Sequence, residues 1–525
     1  MEIRNVSFTY PVQENAALSR VNLNIEDGEF VLVCGDSGSG KTTLLKLLKR
    51  EISPVGERSG EIFVFGKRIE DLSEKESVSR IAYVSQSIES SLVCEDVRRE
   101  LAFTAESLGF ESAEIRRRTA ETAMFFGIEH LFRRKVDELS GGEKQLVSLA
   151  AAVVCVPDIL ILDEPCARLD PIASKKLIHY VRRLNVEMGI TVIISEHRTD
   201  DIFPAASKVV VLDKGHVVFS GGPNEAVGAP SVPEYLLPAA SRIYRRIKIE
   251  GSNKDAAIDV VSCQQFIRRQ GGDIVLDMFE NDVCEDRKNK DNIVLLKDVY
   301  FSFGGRRDDV LRGLSLDINS GEVLAILGGN GAGKTTLLNV ISGVYRCESG
   351  RRKAKFRRAG VLPQDVRNLF LTSTVSDDLA MAASVGESAA IDDIVEMMGL
   401  RHLLERNPFD LSGGELERAG IAKVLLGQPD IVLLDEPTKG MDRRSAAELC
   451  GVIASLKGRG IAVVIVTHDA EIAERCADRC GLLFDGDIVS VETTDKFFAG
   501  LDYFTTETRR IFRPFRKNGC VSDEK

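Results

Sequence analysis

The stretch GDSGSGKTTLL, Gly35–Leu45, returns almost unchanged as GGNGAGKTTLL, Gly328–Leu338. Both follow the pattern GxxxxGK[ST], whose glycines let successive backbone N–H groups close around a phosphate at the start of a helix, where the dipole also favours anions. The residues placed for this are Gly35, Asp36, Ser37, Gly38, Ser39, Gly40, Lys41, Thr42 and Thr43 in the first copy. In the second they are Gly328, Gly329, Asn330, Gly331, Ala332, Gly333, Lys334, Thr335 and Thr336. Lys41 and Lys334 suit the β and γ phosphates of a nucleotide, and the Thr42 and Thr335 hydroxyls suit Mg²⁺.

The loops belong to a longer duplication. Lys334 follows Lys41 by 293 residues, and Phe303 follows Tyr10 by the same 293. Around each aromatic, VSFTYP or VYFSFGG precedes an alternating apolar stretch, VNLNIEDGEFVLVCG or LSLDINSGEVLAILG, read as paired strands feeding a buried strand. Further along the copies drift. GEIFVFGKRIEDLSEKESVSR in the first half faces only RRKAKFRR in the second, so an edge hairpin is expected to be trimmed. The spacing recovers at 23 residues from Ser140 to Asp163 and from Ser412 to Asp435. The expected organisation is a first domain over 1–222, a partly folded linker with a helical segment over 223–292, a second domain over 293–492 and a helical extension over 493–525.

With 525 residues, 44% hydrophobic and 28% charged, the chain can bury more than one core. A net charge of −11 argues against broad attraction to nucleic acid or anionic lipid. MEIRNVSFTY has no basic stretch leading into an apolar run, and strings such as DILILDEP are too short to span a bilayer, so neither secretion nor membrane insertion is expected. The 11 cysteines show no CxxC pairing and read as thiols of a reducing compartment; Cys476 and Cys480 read as i,i+4 on one helix.

Further motifs carry chemistry. ILILDEP and IVLLDEP are apolar runs of buried-strand length ending in two carboxylates, which places Asp163 and Asp435 toward a metal ion and Glu164 and Glu436 toward an attacking water. LSGGE, at Leu139–Glu143 and Leu411–Glu415, puts Ser140, Gly141, Gly142 and Ser412, Gly413, Gly414 at the start of a helical pattern, a second anion cradle. A serine-capped helix has the same appearance.

Phosphate loop, a glutamine after a strand, LSGG, hydrophobic-DE and a histidine, in that order and in both halves, resemble the ATP-binding cassette (ABC) ATPases. The resemblance implies an α/β fold of two P-loop NTPase domains, each a mainly parallel sheet core with an antiparallel β-subdomain and a helical subdomain. It implies ATP hydrolysis with Mg²⁺. Gln86 and Gln364 would sense the γ-phosphate and metal, His197 and His468 would contact the γ-phosphate, and Tyr10 and Phe303 would stack on adenine. In such proteins two cassettes close head to tail, so Ser140 would serve nucleotide on Lys334, and Ser412 nucleotide on Lys41, with Asp170 and Asp442 lining the interface. The family's signature usually ends in Gln; Glu143 and Glu415 depart from it, as Leu146 does from a common Arg that Arg418 keeps. Tuned affinity, not loss of activity, is expected from this.

The flanks EDVRRELAFTAESLG and TVSDDLAMAASVG, with DEPTKGMD, DYFTTETRRIF and SVPEYLLPAASRIYRR, resemble the fused ATPases of energy-coupling factor importers. That resemblance implies a place on the cytoplasmic face of the membrane, a transmembrane coupling subunit and a substrate-capture membrane protein as partners, no nucleic acid, and a vitamin, vitamin precursor or metal ion as cargo. Alternatives are a soluble tandem cassette acting on the ribosome, or the fused ATPase of a sugar importer. The basic runs 351–358 and 509–517 read as solvated faces or as contacts with an anionic membrane surface.

Overall fold

The computed structural model describes residues 1–11, 15–86, 91–167, 169–247, 256–270, 291–304, 309–383 and 388–515. It divides the chain into two units, Met1–Arg269 and Gln270–Lys525.

In the first unit, β1 (Glu2–Thr9), β2 (Leu18–Asn24), β4 (Glu57–Val64) and β5 (Lys67–Arg68) form an antiparallel sheet in the order β2-β1-β4-β5. A six-stranded sheet lies beside it, ordered β10-β9-β3-β8-β7-β6 from β3 (Phe30–Cys34), β6 (Ile81–Val84), β7 (Ile159–Asp163), β8 (Thr191–Ser195), β9 (Lys208–Asp213) and β10 (His216–Gly221). Every pairing in it is parallel except β9 with β10. All five residues of β3, β7 and β8 are buried, which is why these strands read as unbroken apolar runs. Leu44, Leu45, Leu47 and Leu48, on and just after the helix that follows the first phosphate loop, join both sheets in one core with Ile3, Phe8, Val31 and Ile161.

The second unit repeats the plan. An antiparallel sheet β12-β11-β14 is built from β11 (Asn292–Phe301), β12 (Leu311–Asn319) and β14 (Ser349–Ala354). The main sheet runs β15-β16-β17-β13-β18-β19, from β13 (Val323–Leu327), β15 (Ala359–Leu362), β16 (Ile431–Asp435), β17 (Ala462–Thr467), β18 (Arg479–Phe484) and β19 (Asp487–Thr493). The trimmed hairpin is visible: among the described residues, β5 and the helix Glu74–Arg80 of the first unit have no counterpart here. In each unit a separate helical group, Val97–Ser107, Ser112–Phe126 and Gly141–Val153, or Val375–Ala382, Ser388–Met397 and Gly413–Leu425, carries the LSGGE residues.

Three expectations are corrected. The first unit extends past residue 222, because Val232, Leu236, Leu237, Ile243 and Tyr244 are buried and the Arg245 guanidinium donates to the carbonyls of Ala226, Val227, Ala229 and Val232. In the stretch expected as a linker with a helical segment, PEYLLPAASRIYRRI is helical only from Ala239, after a 3₁₀ turn Glu234–Leu236. Cys476 and Cys480 do not share a helix: one ends at Cys476, and Cys480 pairs in parallel register with Ala325 as part of β18. The charged stretch ENDVCEDRKNKDN at 280–292 lies almost wholly outside the described residues, as do 516 and 517 of the second basic run. Arg509 and Arg513 of that run are engaged internally, with Glu474 and Asp495, and with Asp502.

Candidate nucleotide-binding site

Each phosphate loop leaves the end of a fully buried strand and enters a helix, Lys41–Leu47 or Lys334–Ser342, whose N-cap is a glycine with no capping side chain. Gly40 and Gly333 have φ of 101° and 102°, in the left-handed region. At Gly40 a Cβ would also stand 2.6 Å from the Ala17 carbonyl oxygen, so only glycine fits. Lys41 Nζ donates to the Gly35 and Asp36 carbonyls (2.8 and 3.0 Å), and Lys334 Nζ to those of Gly328 and Gly329 (2.8 and 3.2 Å). Both cations are thus buried along the loop that would receive phosphate.

The strand ends bring carboxylates to the same place. Thr42 Oγ1 donates to Asp163 Oδ1 at 3.1 Å, and Thr335 Oγ1 to Asp435 Oδ2 at 2.6 Å. Burial pushes the Asp435 carboxyl up, against the Thr335 hydrogen bond, so a cation there would relieve a real cost. A hydroxyl beside a carboxylate is a hard oxygen donor set of the kind Mg²⁺ takes, and the fit holds in both units.

Glu164 and Glu436 sit at φ of 47° and 51°, uncommon for a non-glycine residue and associated with functional turns. Glu164 N–H donates to the Ser195 carbonyl at 3.1 Å and to its hydroxyl oxygen at 3.0 Å. Its carboxylate accepts Gln86 Nε2 at 2.7 Å and lies 2.8 Å from His197 Nε2. In the second unit Glu436 Oε2 is 2.8 Å from His468 Nδ1, and Oε1 is 2.9 Å from Lys334 Nζ. Burial raises the Glu436 carboxyl, but His468 and Lys334 outweigh it and bring it down to about 2. Gln364 is exposed, and among the described residues its amide has no hydrogen-bond partner.

Tyr10 is half-buried, its hydroxyl hydrogen-bonded with Thr43 Oγ1 at 3.0 Å and its ring edge-on to Phe8. Phe303 is 47% exposed, edge-on to Phe301 and Tyr345. Asp170 and Asp442 are helix N-caps. Ser140 caps its signature helix in a capping box, its Oγ also donating to Glu143 Oε2 at 2.7 Å; at the N-cap of the second signature helix, Ser412 N–H and Oγ donate to Glu415 Oε2, Oγ at 2.7 Å. That gives the two unusual glutamates a local role. Among the described residues, Ser140 and Ser412 share no hydrogen bond with the phosphate loop of their own unit.

Sequence reasoning missed three residues here. Tyr83 donates to Asp163 Oδ2 at 3.1 Å, and Ser195 Oγ to Asp163 Oδ1 at 2.8 Å. Glu196 Oε1 accepts the Cys166 N–H at 2.6 Å, holding the turn after Glu164. Only the position of Tyr83, three residues before Gln86 on an alternating strand, could have pointed to it.

The ABC transporter family model matches residues 18–167 and 311–439. A Bacillus cereus protein provisionally named as an ABC transporter ATP-binding protein is 34% identical over 98% of this chain and 95% of its own length. One similarly named from Methanosarcina acetivorans is 30% identical over 95% of this chain and 86% of its own. Among solved structures, an archaeal ribosome recycling factor in complex with a ribosomal stalk protein superposes with a TM-score of 0.61, covering 94% of this chain and 92% of that one. At 20% identity that likeness concerns the fold alone. The chain belongs to the ABC transporter ATP-binding family and is an ATP hydrolase with two cassettes in one polypeptide.

Proposed function

We propose that this ATPase drives a membrane importer of the energy-coupling factor type, its two cassettes closing head to tail on two ATP. The observation that carries the reading is a matched pair of exposed apolar residues beyond each glutamine. Val93 and Phe103 in the first cassette are 70% and 46% exposed, and Leu371 and Met381 in the second are 72% and 61% exposed. They occupy equivalent places: Glu100 Oε2 accepts the N–H groups of Val93 and Cys94, as the Asp378 carboxylate accepts those of Leu371 and Thr372. Apolar side chains held out by buried carboxylates at the same place in both copies suit a partner with two similar contact points. Among the described residues no helix is long and apolar enough to cross a membrane, so the pathway would belong to a separate coupling subunit, with a capture protein selecting a vitamin, vitamin precursor or metal ion.

In this reading the loop N–H groups with Lys41 or Lys334 would hold the phosphates, and Thr42, Asp163 and Gln86, or Thr335, Asp435 and Gln364, would hold Mg²⁺. The metal, when bound, neutralises charge on the phosphate oxygens. Glu164 and Glu436 orient a water and take its proton as it attacks the γ-phosphorus and the bond to ADP breaks. His197 and His468 fix the glutamates and the γ-phosphate oxygens. Ser140 and Ser412, with Gly141, Gly142, Gly413 and Gly414, complete the opposite cassette's site, and Tyr10 and Phe303 flank adenine.

The test is fractionation of the tagged chain from cells that also make the coupling subunit. It should sediment with membranes and elute with that protein. Sedimentation with ribosomes, unaffected by deleting the membrane subunit, would support a ribosomal role instead.

A further inference from the structure

The segment after each cassette is itself part of the duplication. Glu234-Tyr235-Leu236 and Arg242-Ile243-Tyr244-Arg245 correspond, at a constant separation of 268 residues, to Asp502-Tyr503-Phe504 and Arg510-Ile511-Phe512-Arg513. The structure keeps that register: the helices Ala239–Ile247 and Glu507–Phe512 start at equivalent positions, and both bury the paired apolar residues, Ile243 and Tyr244 or Ile511 and Phe512.

One contact breaks the symmetry. Tyr235 Oη donates to Asp36 Oδ2 at 3.0 Å, inside the first phosphate loop. Its counterpart Tyr503 is 92% exposed, and the loop position equivalent to Asp36 is Gly329, which has no side chain to receive it. The first-cassette segment is fastened just after Tyr235. Leu236 O accepts Thr199 Oγ1 at 3.0 Å, and Ala239 N donates to Asp200 Oδ1 at 3.1 Å, both partners lying just beyond His197. The Asp36 carbonyl also accepts Lys41 Nζ at 3.0 Å and the Ser39 N–H at 3.1 Å, so the placement of Asp36 is mechanically tied to the lysine.

A carboxylate on a loop built to surround polyphosphate opposes its ligand by simple charge repulsion, most of all where water is excluded. A phenol hydroxyl donating to one of its oxygens fixes its direction and draws off part of its charge. We propose that Tyr235 is a positioning residue for the first phosphate loop, restraining Asp36 so that nucleotide can enter, and that the second cassette, with Gly329, has no need of such a restraint. The two sites of one chain then differ in what sets their affinity for nucleotide. This rests on the reading of Gly35–Thr42 as the nucleotide cradle.

The experiment uses the full chain carrying Lys334→Ala, so that binding of ATPγS with Mg²⁺ reports the first site. Tyr235→Phe should weaken that binding about threefold to tenfold, the range one lost hydrogen bond supplies. In the Asp36→Gly background the same Tyr235→Phe change should have no effect, because the carboxylate it restrained is gone. Tyr503→Phe, read at the second site in a Lys41→Ala chain, should leave binding unchanged. Thermal unfolding of each variant separates a folding defect from the effect sought. An unchanged dissociation constant in Tyr235→Phe overturns the proposal, as does an equal loss with and without Asp36. Retained first-site binding in a chain lacking both Lys41 and Lys334 would instead count against the cradle reading itself.

Discussion

Lys334 Nζ and Glu436 Oε1 lie 2.9 Å apart as a buried ion pair, each side chain less than a tenth exposed. The lysine placed for phosphate is therefore held by the carboxylate placed for water, and a nucleotide must exchange one anion for another at Nζ. Glu436→Gln removes the competing charge. Hydrolysis at the second site should fall by about 100-fold or more, the scale of a lost general base, while ATPγS binds more tightly. Phosphate release and equilibrium binding, both with Lys41→Ala in the first site, check the two halves. Weaker binding in Glu436→Gln would mean that the pair serves to position Lys334.

Tyr83 reaches Asp163 only in the first cassette; the equivalent strand position in the second is Val361. A donor on a metal-binding carboxylate orients it, and losing such a partner typically weakens metal binding by about tenfold or more. Tyr83→Phe should therefore raise the Mg²⁺ concentration needed for half-maximal hydrolysis at the first site by about tenfold, with the maximal rate at saturating Mg²⁺ little changed. A Mg²⁺ titration of phosphate release in the Lys334→Ala background measures this. An unshifted midpoint would show that Ser195 and Thr42 suffice to hold Asp163.

The parts legible in the sequence are those set by local chemistry. The glycines of the loops, the apolar runs of β3, β7, β13 and β16 and the acidic pairs ending β7 and β16 announce themselves within a dozen residues. Other parts depend on what distant segments pack against. The proline and glycine residues after Gly221 read as a linker, although Leu236 and Leu237 are buried, because their covering surface is supplied by the rest of the first cassette. Tyr235 falls in the stretch expected as a linker, and nothing near it signals Asp36, 199 residues earlier. Cys480 kept helical spacing from Cys476, but parallel pairing with β13 overrode it.

The exposed apolar pairs lead to a test of coupling. Phe103→Asp together with Met381→Asp should leave ATP hydrolysis by the isolated chain within about twofold, since exposed substitutions away from packing seldom change stability much. Copurification with the coupling subunit should be lost, because a carboxylate on an apolar contact must be desolvated without a partner. Full retention of the complex would place the docking surface elsewhere.

Glu196 predicts how the first cassette responds to pH. Its side chain is 3% exposed, between Ser195 and His197, with Oε1 accepting the Cys166 N–H at 2.6 Å. Burial pushes its carboxyl up to about 8, the Cys166 N–H pulls the other way, and the charge on Glu164 adds to the rise. The folded state thus holds the proton more tightly than the unfolded chain, whose carboxyl keeps the usual value near 4.5. The contribution to stability is complete below that value and is lost as pH rises through about 8, at a rate on the order of 1.4 kcal/mol per unit between the two. The second cassette has Thr467 at this position, a hydroxyl that does not titrate in the range. Thermal unfolding of the full chain between pH 6 and pH 9 should therefore show the first cassette losing stability as pH rises. Glu196→Gln, which keeps an oxygen for the Cys166 N–H but cannot ionise, should flatten that slope and leave a first cassette more stable than wild type at pH 9. Glu196→Gln unfolding with the wild-type pH dependence would assign the slope to another group.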